Sequence, residues 1–92
     1  MRLVKDEVEK GLGSPVKLRI LKTLASGEAL TKYELLKKIP AKPTALGRHL
    51  KELLEIGWIE ELHYTAVKKY RINQEKKALK HLIALFKETG YI

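Results

Sequence analysis

Apolar positions along the chain follow helical spacing for most of its length and alternate over one stretch. Val16, Ile20, Leu21 and Leu24 recur at three- and four-residue intervals. They follow Ser14, a good N-cap, and Pro15, whose missing N–H suits a first helical position. With Gly27 as a left-handed stop, the spacing predicts a helix over roughly residues 15–26. A second helix starts at Thr31, where Thr31 and Glu34 form a capping box and Leu30 and Leu35 a hydrophobic staple. Pro40 ends it by pushing Ile39 out of the helical region. "PAKP" then leads into a third helix over about 43–56, with Leu46, Leu50 and Leu53 on one face and Gly57 closing it.

From Trp58, read as core, the period changes. Ile59, Leu62 and Tyr64, and then Tyr70 and Ile72 alternating with Lys69 and Arg71, predict a β-hairpin over 58–73, to which the short "EAL" segment before Thr31 can add a third strand. Asn73 is read as the cap of a last helix whose Leu79, Leu82, Ile83 and Phe86 form one stripe, ended by Gly90. Residues 1–13 carry a helical stripe of Val4, Val8 and Leu12, interrupted by Gly11 and Gly13, and read as a short helix plus linker that contacts a dimer partner. The fold class is mainly α with a small β-hairpin. The order divides the chain into a segment at 1–13, a domain at 14–73 and a terminal helix at 74–92.

Composition narrows the chemistry. The 92 residues suffice for one core. The longest apolar run, residues 82–86, is far short of the roughly 20 residues that cross a bilayer. The charged start "MRLVKDEVEK" lacks the apolar stretch of a secretory signal, so a cytoplasmic location is expected. Cysteine is absent, which removes disulfides, thiolate metal sites and cysteine nucleophiles. His49, His63 and His81 are too far apart for metal-ligand spacing, and no acid/base pair, phosphate loop or nucleophile elbow can be assembled. Neither an enzyme nor a cofactor or metal is expected.

The net charge of +8 points instead to a polyanionic partner. The excess lies mostly beyond residue 31; residues 62–77 alone carry five bases against one acid. Two helices joined by a short turn, the second followed by a twisted hairpin, make a winged helix-turn-helix, with the third helix as the recognition helix. At 100° per residue, Thr44, Arg48, Lys51 and Glu55 point away from the leucine face. Thr44 and Arg48 are the expected base contacts, since arginine can make two hydrogen bonds to guanine. Lys42 and Lys51 are better suited to phosphate. Gly47 on the flank removes a side chain and permits close approach to the groove. In the hairpin, Lys68, Lys69 and Arg71, joined by His63, form a cluster suited to phosphates or the minor groove. Leu79, Leu82, Ile83 and Phe86 are expected to meet a second copy, a two-fold pairing that sets two recognition helices one turn of DNA apart, the alternative being that the helix folds back on its own domain.

The stretch "YELLKKIPAKPTALGRHLKELLEIGWIE" resembles the recognition region of ArsR-type and related MarR-type winged-helix transcription regulators, on His49-Leu50-Lys51, Leu53, Gly57 and Trp58-Ile59. The resemblance spans roughly residues 14–73 and implies a homodimeric regulator that binds double-stranded DNA. The chain departs from the pattern at Lys42, where a serine or threonine cap is usual, at Gly47, and at the tip of the wing, which lacks glycine. A winged-helix protein-interaction module of a transcription or RNA-processing assembly is the alternative that the same fold allows.

Overall fold

The computed structural model describes residue 7 and residues 9–92. Val4 and Val8 lie outside the described residues. The chain folds as α1 (Pro15–Leu24), β1 (Leu30–Thr31), α2 (Lys32–Lys38), α3 (Pro43–Glu55), β2 (Ile59–Tyr64), β3 (Val67–Ile72) and α4 (Lys77–Glu88), with residues 9–12 helical ahead of α1. Among the described residues no helix is long and apolar enough to cross a membrane.

The local signals act where the sequence places them. Ser14 Oγ accepts from the Val16 N–H at 3.1 Å at the start of α1. Thr31 and Glu34 bond reciprocally at 3.0 and 2.9 Å, the capping box of α2. α3 ends in a Schellman motif: the Trp58 N–H donates to Leu53 O and the Gly57 N–H to Leu54 O, while Gly57 takes φ +76°. Leu53 and Trp58, the hydrophobic pair that accompanies this motif, are both buried. α4 ends the same way at Gly90, with Phe86 and Tyr91 edge to face at 5.0 Å.

Asn73 does not cap the last helix. Its Nδ2 donates to Gly57 O at 2.8 Å and its Oδ1 accepts from the Glu75 N–H, so the chain turns for three residues before α4 begins at Lys77. The side chain thus ties the end of the hairpin to the end of α3.

The three strands run in the order β1-β3-β2, all antiparallel, with Leu30 opposite Tyr70 and Ile59 opposite Ile72. The third strand is Leu30–Thr31, at the end of the "EAL" segment. Ile20, Leu21 and Leu24 of α1 meet Leu35 of α2, Leu46, Leu50 and Leu53 of α3, and Ile59 and Ile72 at the base of the hairpin in one core. The helical residues ahead of α1 close that core over Trp58. A Cβ at Gly11 would overlap the indole ring, and Glu7 accepts a hydrogen bond from its Nε1.

Candidate nucleic-acid interface

α3 stands on a fully buried leucine face and turns its other side outward. Leu46, Leu50 and Leu53 are at most 2% exposed, whereas Thr44, Arg48, Lys51 and Glu55 all lie on the outer side. The helix opens at Pro43, and Lys42 at the N-cap makes no side-chain capping bond, so the first amides of α3 stay open beside Thr44. Among the described residues, none of Lys42, Arg48 or Lys51 forms an ion pair.

Beside the leucines, the contact of α3 with α1 includes a partly buried polar cluster. Lys17, with a side chain only 7% exposed, reaches Glu52 at 2.7 Å. His49 sits beside this pair, 3.7 Å from the same carboxylate, with Ser14 Oγ 3.5 Å from its Nε2 and a buried Nδ1 that has no hydrogen-bond partner among the described residues. Burial, and then the charges of Lys17 and Arg48, hold the His49 imidazole below its ordinary pKa, which favours the neutral ring. The hydrogen bond from Lys17 does most to lower the pKa of Glu52. This cluster fixes α3 against α1. The sequence pattern gives no sign of Lys17, which lies beside the apolar stripe rather than on it.

The hairpin separates the cations that the sequence groups together. Side chains directly opposite in an antiparallel pair share a face, and successive residues alternate. Lys68 pairs with His63, and Lys69 with Leu62, so the two lysines leave opposite faces. Arg71 shares the face of Lys69 and is engaged there: its Nε donates to Glu60, directly across the ladder, at 2.6 Å. His63 Nε2 lies 2.8 Å from Glu61. Lys69 Nζ stands 5.7 Å from the centre of the Tyr64 ring, and Lys68 is exposed. Among the described residues, the hairpin cations without an acid partner are therefore Lys68 on one face and Lys69 on the other. A cross-strand acid, invisible to a count along the chain, neutralises Arg71.

The tip is a two-residue turn, Thr65-Ala66, in which Thr65 takes φ +52°. A glycine is absent where the backbone conformation favours one.

α4 divides its apolar stripe. Leu79 and Phe86 are 2% and 6% exposed and belong to the domain's own core, although Phe86 also lines the groove beside it. Leu82 and Ile83 are half-buried. Leu85, 51% exposed and outside the four-residue stripe, and Leu12, 37% exposed and on the stripe of residues 1–13, line an apolar groove of about 590 Å³ with Leu18, Leu82, Phe86 and Tyr91. The helix folds back on its own domain with one edge and leaves the other edge open. His81 is exposed, and among the described residues no group of histidines and acids is placed to hold a metal.

No protein-family model matches the chain, and no curated protein matches its sequence. Solved structures do match in shape. HlyU from Vibrio cholerae N16961 is 21% identical with a TM-score of 0.79, over 92% of this chain and 89% of that one. The transcriptional repressor BigR from Xylella fastidiosa is 23% identical with a TM-score of 0.78, over 91% and 83%. The homodimeric winged helix-turn-helix DNA-binding domain of Mb0332 from Mycobacterium bovis, a possible ArsR-family regulator, is 22% identical with a TM-score of 0.76, over 97% and 79%. At these identities the likeness is one of architecture: the chain has the winged helix-turn-helix fold, as its recognition-helix sequence leads one to expect.

Proposed function

We propose that the protein is a sequence-specific DNA-binding transcription regulator that works as a homodimer, with α3 in the major groove and the hairpin on flanking backbone or minor groove. One observation carries the reading. Thr44, Arg48 and Lys51 project from a helix anchored by three buried leucines, and among the described residues no carboxylate pairs with the two cations. A rigid, unpaired cationic face of helical width is what a major groove accepts. The description of the similar structures as transcriptional regulators, one of them a homodimer, supports the same role. The open apolar edge formed by Leu12, Leu18, Leu82 and Leu85 supports pairing with a second copy, with Leu82 and Phe86 lining it from the predicted stripe and Leu79 enclosed in the domain's own core.

The test is selection of bound sequences from a random duplex pool, followed by gel shifts across a salt series and a solution mass. Arg48→Ala is expected to relax preference at one base position, by roughly 1–3 kcal/mol. Lys68→Ala and Lys69→Ala, made separately because they leave opposite faces, are expected to weaken all duplexes alike and to flatten the salt slope by about 1 for each phosphate no longer neutralised. The mass is expected to be that of two chains. Binding that ignores sequence, and that none of these changes affects, overturns the reading in favour of a protein-interaction module.

A further inference from the structure

Glycine inside a helix weakens it relative to alanine, so Gly47 in the middle of α3 calls for a cause. The space it leaves is occupied. A Cβ at residue 47 would stand 2.9 Å from Lys32 Nζ and 3.6 Å from its Cε. Lys32 opens α2 directly after Thr31, whose partner across the sheet is Lys69. Its ammonium therefore stands at the Gly47 flank of α3, on a residue whose neighbour Thr31 pairs with the wing strand. Gly47 is three residues after Thr44 and four before Lys51, so this flank adjoins the exposed cationic face. Among the described residues no carboxylate pairs with Lys32, and the Tyr33 ring next to it is taken by Lys37, at 4.6 Å.

The ammonium of a half-buried lysine, set against the recognition helix and without a carboxylate partner among the described residues, has the chemistry of a backbone-phosphate contact, for which a compact point charge with three donors is suited. We propose that Lys32 grips a phosphate of the duplex and bridges the contacts of wing and recognition helix, and that residue 47 is glycine because the Lys32 ammonium passes where a side chain would stand. The proposal rests on the DNA-binding reading and changes the role of Gly47. Instead of letting the groove approach the helix backbone, the glycine seats a cation from another helix.

A double-mutant cycle on the selected duplex separates the two roles. Lys32→Ala is expected to weaken binding to specific and non-specific duplexes alike and to lower the salt slope by about 0.9, so that the loss of affinity between 50 and 200 mM salt becomes roughly 3.5-fold smaller. Gly47→Ala is expected to raise Tm, because only the flexible end of Lys32 has to move, yet to lose affinity in the same manner as Lys32→Ala. In the Lys32→Ala background, Gly47→Ala is expected to cost nothing further. If the wild-type protein binds the duplex and Lys32→Ala binds it with unchanged affinity and slope, the phosphate contact is refuted while the DNA-binding reading stands. If Gly47→Ala costs as much without Lys32 as with it, the seating role is refuted and close approach of the groove is favoured. If the wild-type protein binds no duplex at any salt, both fall together.

Discussion

The Lys17–Glu52 pair makes an asymmetric prediction. Breaking a fully buried ion pair by removing one partner costs about 3–5 kcal/mol, and breaking an exposed one costs about 0–1 kcal/mol. This pair lies between the two limits: at 2.7 Å, the Lys17 side chain is 7% exposed and the Glu52 side chain 36%. Glu52→Ala leaves an ammonium in a nearly dry site beside His49 and Arg48, with no carboxylate to compensate, and is expected to cost about 2 kcal/mol. Lys17→Met keeps the unbranched stem buried and leaves behind only a carboxylate that water can reach, so it is expected to cost about 0.5–1 kcal/mol. Glutamate and alanine are both good helix formers, so propensity does not account for the difference. The assay is equilibrium urea unfolding of both variants with the m-value checked for constancy. In a domain of this size 2 kcal/mol corresponds to a fall in Tm of roughly 10 °C. If Lys17→Met costs as much as Glu52→Ala or more, the buried ammonium is not the unit at risk and the reasoning fails.

Two more predictions follow from the same geometry. Because burial and the charges of Lys17 and Arg48 hold the folded His49 pKa below its ordinary value of 6.5, the unfolded chain takes up the proton first. Stability is therefore full above pH 6.5 and falls as the pH drops through the folded pKa, and a lowered Glu52 pKa adds a second loss below about pH 4.5; pH-dependent denaturation of His49→Gln is expected to lack the first step, and a profile identical to wild type would contradict it. At the wing tip, Thr65→Gly is expected to stabilise the fold by about 1 kcal/mol, since a β-branched residue at φ +52° is strained where glycine is not; an unchanged or lower Tm would show that the turn carries no such strain.

Features are legible in the sequence where the cause lies within a few residues. Ser14, Thr31 with Glu34, Gly57 and Gly90 satisfy or end a helix using groups on the same turn, so spacing alone reveals them. The leucine face of α3 follows from periodicity in the same way, and the burial of Trp58 from its place directly after Gly57 at the start of a strand. What escapes depends on partners distant in sequence. Asn73 reads as a cap until Gly57 O, sixteen residues earlier, claims its amide. Gly11 reads as a break in a helical stripe, whereas it is small enough to lie against the Trp58 ring where any Cβ would collide. A count of charges along the strand makes the hairpin one basic cluster. Alternation sends Lys68 and Lys69 to opposite faces, and Glu60 across the ladder engages Arg71. The stripe of α4 signals an amphipathic helix but not how much of it the domain covers itself, which is why Leu79 and Phe86 turn inward while Leu85 remains open.

Lys17 also bears on how the two surfaces of the domain are related. A two-fold reader of DNA has to hold its two recognition helices about one helical turn of DNA apart, roughly 34–36 Å. Here the link between the apolar groove and α3 passes through a single helix, because Leu18 lines the groove and its neighbour Lys17 holds Glu52. Burial of Leu46, Leu50 and Leu53 fixes which side of α3 faces the core, within the tolerance that close packing allows. A hydrogen-bonded ion pair at 2.7 Å is directional, and Glu52 lies four residues from Arg48, one turn along the same helix. The lysine therefore adds to the apolar contacts one oriented tie, a turn away from Arg48, which an apolar residue of equal length at position 17 would replace in volume but not in direction.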